Sequence, residues 1–510
     1  MRKPLLTVSV IALAVVACSG SSSSPAQGYV PPDPAHQRPT PAPWPTTVPW
    51  PAASPYDGVT YQDPGVAPYV NPDEDKVSTF ALDVDTASYT IAQRYVADGA
   101  RPDPASVRVE EWVNAFDQSY PRPDDAAFAL IADGGPTPFT DRGEVLLRLG
   151  IQARDVRDRA RDAASLTFVI DTSGSMERDG RLELVKDALR LLVEGLGRDD
   201  SVSMVTFGDD ARVVLPPTRA TDADRILEAI ADLHPGGSTN LEAGLRLGYG
   251  LARETLTENG IDRVVLASDG VANVGLTDPD GILAGIRDDA ASGIELVSVG
   301  VGMGNYNDAL LERLADQGDG FYAYVDTFDE ARRLFTDDLT GTLQTVALDA
   351  RAQVEFDPDV VAAYRLLGYE NRAIDDRDFT DDTVDAGAVG AGHAVTALYA
   401  VRLREDIRRD DRLATLRLRW TDPERGGADE LTRDVRLSEL ARSFAATEPT
   451  FRLDAIVAAT AEVLRESPWV GRLDVRDIAR VAGDEARDLP ATDQVHDLLD
   501  LLDDLASLEE

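Results

Sequence analysis

Two acidic residues in this chain stand where apolar runs end, at Asp171 in TFVIDTSGSMERDGR and at Asp269 in RVVLASDG. Beside the first lie Ser173 and Ser175. Between the two acids, the glycine-containing stretch HPGGSTN carries Thr239 just before a helix-like run. All of these are hard oxygen donors, with no cysteine or histidine among them. Such a set favours Mg²⁺, Mn²⁺ or Ca²⁺ over zinc or copper. Two carboxylates only just balance a divalent ion, and the neutral hydroxyls leave it electrophilic toward an outside anion. The chemistry these residues predict is capture of a partner's carboxylate by a bound cation.

The elements that must position them follow from the pattern around them. From Leu166 to Leu343, apolar strand-like runs (LTFVID, SVSMVTF, RVVLAS, IELVSVGV) alternate with amphipathic helical ones such as RLELVKDALRLLVEGL, NLEAGLRLGYGLARETL and PDGILAGIRDDAAS. That alternation predicts an α/β fold, a doubly wound domain whose mostly parallel central sheet is covered on both faces. Ligands of such sheets bind outside the carboxyl ends of the strands, where Asp171 and Asp269 are placed.

At these positions DTSGS, Thr239 in GGSTNLEAGL and Asp269 in ASDGVANVG resemble the metal-ion-dependent adhesion site of von Willebrand factor type A domains. The pattern DxSxS is matched at Asp171, Ser173 and Ser175. The resemblance implies a Rossmann-like fold over about 180 residues. It also implies that the two serines and Thr239 touch the metal directly or nearly so, with the aspartates acting directly or through water. Non-enzymatic binding of a protein or glycan ligand offering a carboxylate is the function it implies, the alternative being a structural envelope scaffold whose metal is purely structural. The flanking stretches STFALDVDTASY, RVEEWVNAF and VGAGHAVTALY resemble regions bordering this domain in bacterial type A lipoproteins.

Other chemistries fit less well. In DTSG, Ser173 intrudes into the Asp-Thr/Ser-Gly string an aspartic protease requires, and no GxxxxGK[ST] phosphate loop is present. DVDTASY, Asp83 to Tyr89, has the DxD of haloacid-dehalogenase phosphatases but places Ala87 where those proteins want Thr or Val. The simpler expectation is that Asp85 or Thr86 caps the helix that holds Tyr95. Of the four histidines, His234 is expected to be a loop residue and His393 to pack at a strand start; no spacing suggests a Ser-His-Asp triad.

With 91 acidic and 50 basic residues among 510, the formal charge of -41 opposes binding to nucleic acid or to anionic membrane surfaces. A membrane connection is expected from the first residues instead. MRKPLLTVSVIALAVVAC has the basic start and short apolar run of a secretory signal, and its end, VVAC, resembles the lipobox of bacterial lipoproteins. Cys18, the single cysteine, is then the lipidated residue. Residues 19–72 are serine- and proline-rich, and read as a disordered tether that at ~3.1 Å per residue reaches on the order of 150 Å.

The organisation expected is therefore a lipoprotein signal over 1–18, the tether over 19–72, a mixed flanking region over 73–160 and the type A domain over 161–345. A β-rich region over 346–445 and a helical region over 446–510 follow, with the type A domain inserted between flanks that pack on each other. Localisation is expected at the cell envelope, on the outer membrane or the outer face of the plasma membrane.

Overall fold

The computed structural model describes Tyr56 and residues 61–508, apart from 124–125, 141–142, 157–161, 257–259, 270–280, 283, 285–292, 303–307, 319, 333, 336–343, 383, 385 and 424. Cys18, most of the tether and most of the helix expected at PDGILAGIRDDAAS lie outside the described residues.

The N-terminal flank supplies β1 (Val77–Ala81), α1 (Ala87–Ala97), α2 (Val109–Asn114), β2 (Phe128–Gly135) and β3 (Glu144–Ala153). The central domain follows with β4 (Ala164–Asp171), α3 (Arg181–Gly195), β5 (Ser201–Phe207), β6 (Ala211–Arg219), α4 (Ala223–Ala231) and α5 (Leu241–Glu254). It continues through β7 (Ile261–Ser268), β8 (Glu295–Val301), α6 (Asp308–Asp316), β9 (Tyr322–Val325) and α7 (Phe328–Arg332). Its six strands lie in the order β6-β5-β4-β7-β8-β9, all parallel to their neighbours except the edge strand β6. Every residue of β4 is buried, because helices cover both faces of the sheet. On one face α3 lays down Leu182, Val185, Leu189 and Leu192, one stripe at helical spacing, and α4 adds Ile226 and Ile230. On the other, Leu241, Leu245 and Tyr249 of α5 pack with Leu310, Leu311 and Leu314 of α6. Ile91 and Tyr95 of α1 join this second core from outside the domain.

Helix α5 approaches the sheet unusually closely. A Cβ at Gly248 would stand 2.3 Å from Val169 Cγ2, and one at Gly244 would stand 2.7 Å from Phe207 Cδ1. These two glycines, one helical turn apart, let the helix settle on β4 and β5, and so fix where the loop before it meets the sheet edge.

After the central domain come β10 (Thr345–Phe356), β11 (Val361–Leu367), β12 (Val389–Gly390), β13 (Ala394–Leu403), β14 (Arg412–Thr421) and β15 (Ala428–Arg436). They do not form a sheet of their own. β1 pairs antiparallel with β10 in the sheet β1-β10-β14-β15, and β3 pairs antiparallel with β13 in the sheet β11-β13-β3-β2. Both sheets thus contain strands from before and after the central domain. Phe80, Leu147, Val354, Tyr399 and Leu416 share the core between them. Helices α8 (Pro449–Leu464), α9 (Val475–Glu485) and α10 (Asp493–Leu508) pack with α2 on the second sheet, burying Trp112, Phe451 and Ile456. The leucines of α10, among them Leu498 and Leu502, belong to this core. Among the described residues no helix is long and apolar enough to cross a membrane.

The DVDTASY stretch departs from expectation. Its strand stops at Ala81, and neither Asp85 nor Thr86 caps α1, since Thr86 holds the N-cap position without a side-chain hydrogen bond. Asp85 faces elsewhere: its Oδ1 accepts from Tyr322 N of β9 at 3.1 Å, and its Oδ2 accepts from Arg372 at 3.1 Å. Arg372 also donates to Asp83 at 3.0 Å, while Glu312 of α6 accepts from Arg108 at 2.8 Å and from Asn371 at 2.9 Å. The backbone amide at Ser88, near the start of α1, is satisfied from a distance by Glu111 of α2. Both flanks are thereby hydrogen-bonded to the central domain through buried charged groups. Truncating one member strands the others in a dry site. Arg372→Ala should cost about 3–5 kcal/mol in urea unfolding, because it leaves the Asp83 and Asp85 carboxylates buried without their shared cation; a loss below about 1 kcal/mol would place these carboxylates in contact with solvent.

Candidate metal centre

Asp171 is the last residue of β4, and Asp269 immediately follows its parallel neighbour β7. The pairing that sets Ile170 opposite Ala267 carries both acids to the same edge, and both are fully buried. Asp171 Oδ1 accepts from Ser173 N at 2.8 Å, the turn that swings the chain out of the sheet, and its Oδ2 accepts from Ser268 Oγ at 2.7 Å. Ser173 Oγ lies 2.9 Å from Ser175 Oγ, so the two hydroxyls expected to act together are adjacent. Ser173 is buried and Ser175 half-buried, while Gly174 between them is exposed.

The loop carrying Thr239 is sewn to this turn by backbone. Gly236 N donates to Thr172 O at 2.6 Å and Gly174 N to Gly237 O at 3.0 Å. Gly237 has φ +88°, a left-handed conformation that a glycine adopts without strain. Asn240 then caps α5 by accepting from Ala243 N at 3.2 Å, and Thr239 is buried immediately before it. The structure therefore joins Asp171, Ser173, Ser175 and Asp269 at one sheet edge and ties the Thr239 loop to them. His234, in the same loop, is exposed, and His393 lies just before β13 with its ring edge-on to Phe321.

Two partners had no signal in the motif spacing. Arg181, the first residue of α3, donates to Asp269 Oδ2 at 2.9 Å with both side chains buried. Ser268 is visible in the string ASDG, but its hydroxyl bond to Asp171 depends on the register of β4 and β7.

The electrostatics call for a further cation. Burial, and secondly the neighbouring Asp269 carboxylate, push the Asp171 carboxyl up to about 6. Asp269 Oδ1 is buried with no hydrogen-bond partner among the described residues. Among those residues no three His, Cys, Asp or Glu side chains gather as a ready ligand set. Any ion held here would rest on two carboxylates and neutral hydroxyls, a donor set that fits a hard divalent cation and not a soft one. The orphaned carboxylate oxygen and the raised carboxyl of Asp171 both fit such an ion.

Comparison with known proteins identifies the domains of the chain. The model of the von Willebrand factor type A domain matches residues 165–337, one described as von Willebrand factor matches 56–147, and one described as "Uncharacterized protein YfbK, C-terminal" matches 341–508. The chain is 36% identical over 452 residues to "Uncharacterized protein YfbK" of Escherichia coli (strain K12), covering 82% of this chain and 78% of that protein. It is 30% identical over 181 residues to inter-alpha-trypsin inhibitor heavy chain H3 of Bos taurus, covering 34% of this chain but 19% of that much longer protein. Among solved structures, a von Willebrand factor type A protein from Catenulispora acidiphila aligns over 73% of this chain and 84% of its own, at 16% identity and a TM-score of 0.43. With a match of that identity extending through the central domain and both flanks, the chain belongs to the YfbK family and carries a von Willebrand factor type A domain.

Proposed function

We propose that this protein is a lipid-anchored, non-enzymatic binding protein of the cell envelope, whose type A domain grips a protein or glycan ligand through a divalent metal. The observation that carries the reading is the meeting of Asp171, Ser173, Ser175 and Asp269 at one sheet edge, with a buried carboxylate oxygen left unpartnered. Asp171, Ser173, Ser175, Thr239 and Asp269 would hold Mg²⁺, or Mn²⁺ or Ca²⁺ in its place. The ion supplies a Lewis-acidic position that an Asp, Glu or other carboxylate of the partner fills. The chain's own residues do the rest. The Ser173 and Ser175 hydroxyls lie side by side next to the exposed Gly174, and the paired strands β4 and β7 hold the two acids at one sheet edge. The membership of this chain among type A domain proteins, including its likeness to an inhibitor heavy chain, supports a role in binding another molecule.

Anchoring follows from Cys18 and the signal that precedes it. Lipidation there, with the proline-rich stretch as a spacer, would present the type A domain away from the membrane surface, on the outer membrane or the outer face of the plasma membrane.

Three outcomes test the reading. Asp171→Ala or Asp269→Ala should abolish Mg²⁺ and Mn²⁺ binding in calorimetry while far-UV circular dichroism stays unchanged; Ser173→Ala or Thr239→Ala, each losing one neutral ligand, should weaken it by about tenfold. Undiminished binding in Asp171→Ala would reduce the motif to a strand-to-helix turn.

The second outcome is a pH dependence. Because the folded Asp171 carboxyl lies above its unfolded value, the metal-free fold gains stability from its proton, fully below about pH 4, and loses that gain as pH rises through about 6. A metal must displace the same proton. Millimolar Mg²⁺ should therefore raise Tm markedly at about pH 7.5 and little at about pH 5, and a Tm increment independent of pH would contradict the assignment of Asp171. Third, Cys18→Ala should move the protein from membranes to the soluble fraction; retention on membranes through a carbonate wash would refute the anchor.

A further inference from the structure

Arg181 stands where the metal reading alone gives no reason for a cation. Its side chain is buried, it opens α3, and its Nη1 donates to Asp269 Oδ2 at 2.9 Å. Two further carboxylates stand near it: Asp179, 4.0 Å away and largely exposed, so that solvent screens the contact, and Asp326, which is paired with Arg94 and also feels the Arg181 charge. The route of the side chain is built in: Gly302, just after β8, has φ +72°, and a Cβ there would lie 2.3 Å from Arg181 Nε and 2.7 Å from its Cδ. Any other residue at 302 would collide with the stem that carries the guanidinium to Asp269.

Two consequences follow for the site. Asp269 is held by one oxygen, Oδ2, and its Oδ1 is the oxygen without a partner among the described residues, so the arginine decides which oxygen remains for an ion. The charge changes as well. Asp171 and Asp269 with Arg181 sum to one net negative charge, so a divalent ion brings the pocket to one net positive charge. Without the arginine, the same ion would leave the pocket neutral. In a chain of formal charge -41, long-range attraction for an anionic partner is absent, and a residual positive charge at the ion must supply it locally.

We propose that Arg181 is the charge-setting and positioning residue of the metal centre: it weakens the hold on the ion, aims Asp269, and gives the loaded site the positive charge that selects a carboxylate-bearing partner. This rests on the metal-centre reading above. Guanidinium and metal compete for the same carboxylate, so affinity for the ion is given up in exchange for affinity toward an anion. Arg181 acts through Asp269, to which it donates, and through its charge.

The test uses Mn²⁺ and acetate as probes on the full chain, with water-proton relaxation reporting first ion binding and then displacement of ion-bound water by acetate. Arg181→Gln keeps a donor for Asp269 and removes the charge. It should bind Mn²⁺ about tenfold more tightly and acetate about tenfold more weakly than the wild type. Arg181→Lys keeps the charge and should stay within about twofold of the wild type for acetate, and this variant decides the matter even where Arg181→Gln does not fold. The proposal is overturned by Arg181→Gln matching the wild type for both probes, or by Arg181→Lys losing acetate, which would assign the effect to shape. Wild type and variants all failing to bind Mn²⁺ would bring down the metal-centre reading and this inference with it. Mn²⁺ binding by the wild type with no acetate effect in the variants would bring down this inference alone.

Discussion

Everything at the candidate site depends on holding two buried carboxylates side by side. Asp171 and Asp269 sit at the ends of adjacent parallel strands, out of water, where burial and the Asp269 carboxylate raise the cost of ionising Asp171. A fold can keep such a pair only by supplying positive charge and hydrogen-bond donors from all sides. The backbone amide of Ser173, the hydroxyl of Ser268 and the guanidinium of Arg181 are those donors. What they leave incomplete, one oxygen of Asp269 and a carboxyl that holds its proton to about pH 6, is what a divalent ion would complete. The site is thus a deficit of positive charge at a sheet edge, which a bound cation would make good.

The same economy of buried charge governs how the central domain is mounted. Asp83, Asp85, Arg108, Glu312 and Arg372 come from both flanks and from α6, and they meet where the β9 backbone donates to Asp85. Buried ion pairs of this kind contribute little net stability against an apolar alternative, but they tolerate only one arrangement of partners. They fix orientation. Helix α1, which packs Ile91 and Tyr95 into the core of the central domain, adds an apolar grip to that polar one. A domain gripped in both ways is held at a set angle to the sandwich that carries it.

The shared sheets explain why the flanks read poorly as separate units. β1 and β10 are separated in sequence by the entire central domain yet pair along five residues, and β3 and β13 pair along nine. Neither flank could bury its strands alone, since each lacks the neighbours that satisfy its backbone and cover its apolar face. The central domain is inserted into a single sandwich.

Much of the central domain was legible in the sequence because its signals are local. Strand runs buried on both faces, amphipathic helices at regular spacing, and the string DTSGS closing an apolar run each depend on residues close together in the chain, so they identify the fold and single out candidate ligands by position alone. Thr239 was legible from its glycine-containing loop just before a helix-like run, and the resemblance to a known motif added to that reading. What tertiary structure decided depends on partners far apart in sequence. The pairing of Arg181 with Asp269 across 88 positions, the Ser268 hydroxyl on Asp171 across 97, and the rerouting of Asp85 from an expected helix cap to the backbone of β9 across 237 have no periodicity to betray them. A carboxylate's neighbours within a turn can be read from sequence; the cation that balances it is set by which strands lie side by side.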